Sequence, residues 1–243
     1  MLSRKDWRAD LVLLFIAPLV GLMLLGVAGH LLGAREVPAK PAVPMAFGEA
    51  LMNTLVFQGG MLVGMGFFLR AHDMGVGRAF GIARGTSARA IAWGLGAAVV
   101  VLPVAYGLQW LSIEALTRAG LPAGAQTPVE LLLRSSDWWQ RAYLAFFAIG
   151  LAPLAEESLF RGVLYPFVRD LGFPRAALWG SAVFFGLIHV NAAAFLPLSF
   201  FGLVLAWLYQ RTGNLLASVT AHALFNLAPF VMLALGIEPG GNR

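Results

Sequence analysis

Six side chains in the second half of the sequence interrupt otherwise apolar stretches: Glu156, Glu157 and Arg161, then His189, then His222 with Asn226. Carboxylates and imidazoles are costly at membrane depth, and those found there face a bundle interior or a wet cavity and mark functional sites. If the three segments that carry them pack together, they enclose a polar cavity within the bilayer. Groups of this kind do acid–base work, on a substrate or along a proton relay.

Spacing narrows the roles. Glu156 and Glu157 are neighbours, about 100° apart around a helix, so they cannot share one direction. Glu157 and Arg161 are four residues apart on one face, with the acid N-terminal to the base, the favourable order. The economical reading pairs Glu157 with Arg161 and turns Glu156 towards the cavity as the working carboxylate. The alternative is a solvated helix end, and the surrounding Leu159, Phe160, Val163 and Leu164 argue against it. Phe185 precedes His189 by four residues, which sets its ring over the histidine, and Asn191 with Ala192–Ala194 suggests a helix end close by. His222 and Asn226 also share a face, either as interhelical glue or as a pair of donors. His30 and His72 fall at span ends or loops. The absence of cysteine excludes disulfides, thiolate metal sites and a cysteine nucleophile.

The elements that must position these residues are membrane helices. The 243-residue chain is 59% hydrophobic and 12% charged, with a mean hydropathy of +0.78, too little charge to cover a soluble domain. The expectation is an all-α, polytopic transmembrane bundle of about seven or eight helices enclosing a polar intramembrane site. It would form a single integral membrane domain over 1–243, with no separate soluble module. Expected spans are Leu11 to Leu32 (a retained helix, without a signal-peptide cleavage site), Phe47 to Leu69, Ala90 to Leu111, Arg141 to Val168, Pro174 to Val190, Phe195 to Tyr209 and Leu215 to Gly236. A proline-rich loop, Arg35 to Pro44, follows the first. The Gly- and Arg-rich stretch from Arg70 to Arg89 reads as interfacial, as does part of Ser112 to Gln140, where Trp138 and Trp139 are adjacent. Pro153 predicts a kink or break near Gly150, or a helix starting there with Glu156 and Glu157 in its first turn. Arg211–Asn214 reads as a turn.

Counting along helices sets depth. Glu156 is thirteen residues before Arg169 and His189 fourteen after Arg175, so each lies roughly 20 Å from the inner surface at 1.5 Å per residue. His222 and Asn226 fall roughly 12–20 Å deep by the same measure. Three helices of alternating direction thus bring polar groups to a similar level. With the N-terminus inside, ten of the 17 basic residues lie on the inner side: Arg4, Lys5, Arg8, Arg70, Arg78, Arg84, Arg89, Arg169, Arg175 and Arg211. This bias favours a cytoplasmic N-terminus. The net charge of +5 is distributed for membrane orientation and forms no nucleic-acid patch. The Ala-, Gly- and Leu-rich composition points to a bacterial cytoplasmic (inner) membrane.

Taken as a set, Glu156-Glu157-Ser158-Leu159-Phe160-Arg161, Phe185-Gly186-Leu187-Ile188-His189 and His222-Ala223-Leu224-Phe225-Asn226 resemble the motifs of the CPBP family of intramembrane proteases. That family includes CAAX-processing endopeptidases and bacteriocin-immunity-type (Abi) proteins. Order and spacing fit as well, and the resemblance covers 141–236 as a CPBP-like catalytic core. It implies an endopeptidase acting within or at the edge of the bilayer, on membrane-associated substrates that include lipidated or C-terminal peptides. By position, Glu156 and His189 would activate a water, His222 and Asn226 would stabilise the oxyanion, and Glu157 and Arg161 would support them. The resemblance also raises zinc as a cofactor, with Glu156, His189 and His222 as its ligands. No H-E-x-x-H is present, and metal-free catalysis with Glu156 as base is the favoured reading. The expected partners are the lipid bilayer and a membrane-associated peptide or protein, without nucleic acid. A non-catalytic immunity or scaffold protein of the same fold is the alternative, though a scaffold does not need the complete polar set. A transporter would be expected to show an inverted repeat, and none is visible.

Overall fold

The computed structural model describes residues 5–33, 47–82 and 85–237. Among them every regular element is helical: α1 (Ala9–Gly33), α2 (Phe47–Ala71), α3 (Val76–Phe80), α4 (Ser87–Arg118), α5 (Thr127–Arg134), α6 (Trp138–Asp170), α7 (Pro174–Leu187), α8 (Ala192–Thr212) and α9 (Leu215–Ala234). Five of these, α2, α4, α6, α8 and α9, are long and apolar enough to cross a bilayer. The protein is a multi-pass helical membrane bundle. The expected loop from Arg35 to Pro44 falls outside the described residues.

The expected span from Pro174 to Val190 is corrected. Helix α7 has 14 residues, roughly 21 Å of rise, which is less than the ~30 Å hydrocarbon core. It stops because the chain turns. His189 and Val190 leave the helix, and Val190 takes a left-handed φ of 47°, a conformation that costs a β-branched residue about 1–3 kcal/mol. Asn191 then starts α8, its side-chain oxygen accepting from the Ala194 amide at 2.8 Å. The result is a helix that ends inside the bundle with a histidine just beyond its tip. Among the described residues the bundle thus has nine helices, five of them long spans, in keeping with the expected all-α membrane bundle.

Of the expectations at Pro153, a break near Gly150 and a helix start at the proline are corrected. Helix α6 runs unbroken from Trp138 to Asp170, and the residues before Pro153 are helical. No free helix N-terminus faces Glu156 and Glu157. Instead, the winding widens to a π-turn at Phe146–Leu151, just before the proline, and again at Ser158–Leu164. A π-turn shifts the hydrogen-bond register by one residue, which accommodates a position that has no N–H to donate. Such turns recur at functional sites.

Helix α8 is central: Leu198, Phe201, Leu205 and Leu208 are buried along it, and it packs against α4, α7 and α9 while α6 closes over α7 and α9. In lipid, such contacts are made by close approach of small residues. Gly202 of α8 lies against Ala182 of α7, where a Cβ would sit 3.0 Å from the Ala182 Cα. The N-terminal segment pins the far end of α6, with the Trp7 indole donating to the Gly162 carbonyl at 3.3 Å.

A second tight point joins two helix ends. Gly81 follows α3 with φ 70° and Gly213 follows α8 with φ 65°, left-handed closures that favour glycine. A Cβ on Gly81 would overlap the Gly213 carbonyl oxygen. Gly81→Ala is therefore expected to lower stability by at least about 2 kcal/mol. Gly85→Ala, with φ 89° but open space around it, should cost less. Thermal unfolding in detergent compares the two, and equal melting temperatures would show that the overlap is relieved freely.

Candidate active site

Helices α6 and α9 and the α7–α8 turn meet around a cavity of about 880 Å³. Glu156, His189, His222 and Asn226 all line it, so the separate polar segments of the sequence do share one space. Most of the remaining wall is apolar, contributed by Phe57, Trp110, Phe147, Phe225 and Phe230 among others. Glu157 and Arg161 lie behind this surface, fully buried.

Glu157 is the hub of the buried charge. Its Oε1 accepts from Arg161 Nη1 at 2.7 Å and from His222 Nδ1 at 2.9 Å. The expected i,i+4 pair is present; the contact to His222, 65 residues away, is what the sequence did not reveal. Arg161 also donates from Nη2 to the Gly202 carbonyl at 2.9 Å, and its guanidinium carbon sits 4.7 Å from the centre of the Phe185 ring, a cation–π contact. One ion pair thus joins α6, α7, α8 and α9.

Hydrogen bonding fixes which ring nitrogens face the cavity. A carbonyl oxygen only accepts, so the 2.7 Å contact from His189 Nδ1 to the Phe185 carbonyl puts a hydrogen on Nδ1 and leaves Nε2 with a lone pair when the ring is neutral. The Phe185 ring packs edge-on against His189, centroids 5.0 Å apart, as the four-residue spacing predicted. Against the Glu157 carboxylate, His222 likewise donates from Nδ1. Its Nε2 stands 3.9 Å from Glu156 Oε2.

Glu156 is held differently from its neighbour. It is partly exposed to the cavity, and its Oε1 lies 3.5 Å from Gln58 Nε2 on α2. Its Oε2 is buried without a hydrogen-bond partner among the described residues, a strong acceptor facing an apolar chamber. Asn226 donates one amide hydrogen to the Ala148 carbonyl at 2.7 Å, within the first π-turn of α6. That bond leaves its second N–H and its oxygen for the cavity.

Among the described residues, no three His, Asp or Glu side chains converge closely enough to hold a metal ion. Glu156, His189 and His222 therefore do not fit zinc in this arrangement, and no step below is routed through a metal. Sequence reasoning missed Gln58. The available signal was a lone carboxamide inside the apolar run Leu55–Leu69, but its partner Glu156 lies 98 residues away along the chain.

A membrane bundle with a buried Glu–Arg–His network behind a Glu–His–His–Asn cavity defines a class of intramembrane site. The comparisons agree. Residues 137–228 match the family model described as Type II CAAX prenyl endopeptidase Rce1-like, a segment of less than half the chain that contains all six site residues. This segment is thus similar to CAAX prenyl endopeptidases, the kind of family that the three motifs resemble. The chain is also similar to the UPF0177 protein YaiF of Lactococcus lactis subsp. lactis (strain IL1403), with 35% identity over 85 residues, 33% of this chain and 36% of that protein. The aligned part thus spans about a third of that relative's length. No solved structure matches the chain.

Proposed function

We propose that the protein is an intramembrane endopeptidase that hydrolyses peptide bonds of membrane-associated substrates with a water activated by Glu156 and His189. The observation that carries this reading is Glu156 Oε2, a buried acceptor without a hydrogen-bond partner among the described residues, 3.9 Å from His222 Nε2 and in the same largely apolar cavity as His189. Glu156 removes a proton from water as the water oxygen attacks the scissile carbonyl carbon, and the His189 lone pair accepts a hydrogen bond from the second hydrogen, which stays on the oxygen, and so orients the attack. The tetrahedral oxyanion receives the second N–H of Asn226 and, when the ring carries both hydrogens, Nε2–H of His222. The Glu157 carboxylate on Nδ1 then balances the charge of the His222 ring. Glu156 returns its proton to the amine as the carbon–nitrogen bond breaks, releasing a new carboxyl terminus and a new amino terminus. Glu157 and Arg161 hold the geometry without meeting the substrate.

In this reading residues 141–236 are the catalytic core of one membrane domain, with α4 packed against α8 and α9 to join the two halves. Composition and the basic-residue bias support a bacterial cytoplasmic membrane with the N-terminus on the cytoplasmic side. The family description makes a prenylated C-terminal peptide the natural first substrate.

The test is cleavage of internally quenched CAAX peptides, prenylated and unprenylated, by the purified protein in proteoliposomes. Cleavage is expected, with one oxygen from labelled water in the new carboxyl terminus. Activity should survive 1,10-phenanthroline, because the acidic and imidazole groups do not converge as a metal site. Failure to cut either peptide in any lipid mixture would count against the protease reading, and proteoliposome flux would then be the next measurement.

A further inference from the structure

The family match begins at residue 137, yet one residue far upstream reaches the site. Gln58 lies in α2, in a π-turn at Leu55–Gly59, the third such turn in the bundle and the only one outside α6 among the described residues. Its side chain enters the same cavity as Glu156, His189 and His222. Among the described residues its hydrogen bond goes to Glu156 alone, Nε2 to Oε1 at 3.5 Å, and its own Oε1 is buried without a partner.

We propose that Gln58 is a positioning residue that holds Glu156 Oε1 and so presents Oε2 to the attacking water. The inference rests on the hydrolase reading above and deepens it. A carboxylate rotates freely unless a donor holds one of its oxygens, and the neighbouring Glu157, which accepts from Arg161 and His222 as a carboxylate, has no hydrogen to donate. Gln58 supplies the missing donor. The reverse amide orientation would set its oxygen against the carboxylate, so electrostatics fixes the orientation as well. The bond is long, as catalytic hydrogen bonds often are before substrate closes the site. A purely structural glutamine would satisfy its oxygen on a neighbouring helix, and this one does not.

Two experiments test the role, one of them independent of activity. The first takes kcat and KM on the prenylated CAAX peptide. Gln58→Met keeps the length and removes the donor, so kcat should fall about 30-fold with KM within about twofold. Gln58→Glu should be worse, because a second carboxylate repels the first, while both variants melt with the wild type. The second uses the natural absence of cysteine. A Gln58→Cys, Glu156→Cys double variant should be bridged by a short bifunctional methanethiosulfonate in native membranes. A Val56→Cys, Glu156→Cys control should not, since Val56 faces outwards, 68% exposed. Bridging no better than the control, or an unchanged kcat in Gln58→Met, overturns the positioning role and leaves the protease reading standing. A wild-type protein that cleaves no peptide overturns both.

Discussion

Glu156→Gln should lower kcat by about 10³- to 10⁴-fold and leave the bundle folded. The magnitude is that of removing a general base from a positioned water. The selectivity follows from how the carboxylate is held. Glu156 faces the cavity, makes no salt bridge to an arginine or lysine, and has one oxygen without a hydrogen-bond partner among the described residues. Glutamine has the same shape and can keep a polar contact with Gln58, yet an amide cannot take the proton from water. The expected result is a large loss of peptide cleavage with a melting temperature within a few degrees of the wild type. Retention of more than a tenth of the activity would move the base to His189, whose Nε2 also faces the chamber.

Arg161→Met is expected to behave in the opposite way, unfolding the protein before activity can be discussed. Arg161 and Glu157 are both fully buried, and methionine retains much of the apolar stem while deleting the charge. It leaves the Glu157 carboxylate inside the bundle with His222 as its remaining partner, and it frees the Gly202 carbonyl. Breaking a buried pair by removing one member costs about 3–5 kcal/mol, because the other charge is stranded. The paired change Glu157→Gln with Arg161→Met should recover part of that loss. A double-mutant cycle on unfolding in mixed micelles separates the pair term from lost volume. If the single and double variants are equally unstable, the ion pair itself carries little, and the arginine matters for the cation–π and carbonyl contacts alone.

The sequence was sufficient wherever the relevant neighbours lie within a helical turn or two. Glu157 and Arg161 could be paired because four residues along a helix is a contact, and Phe185 could be placed over His189 for the same reason. Apolar length identified five long spans to within a few residues at most ends, since hydrocarbon thickness leaves little freedom. The three motifs, read as a set, pointed to the family whose model matches residues 137–228. What the motifs could not convey was how the groups divide the available hydrogen bonds.

That division belongs to the tertiary structure. Helix α7 has the composition of a span, and Asn191 marked a helix end close by; the Val190 turn and the Asn191 cap set that end at Leu187 and place His189 just beyond the tip. The π-turns in α2 and α6 are similarly invisible in hydropathy, because widening a helix by one residue leaves its apolar character unchanged. Glu157 meets His222, Asn226 meets Ala148, and Gln58 meets Glu156 only once separate helices are docked. The sequence by itself therefore determined which groups are forced into the bilayer and which of them are local partners. Docking of the helices determined which face the cavity and which are spent on one another, because a hydrogen bond between distant helices depends on where each one ends and how closely small residues let them approach.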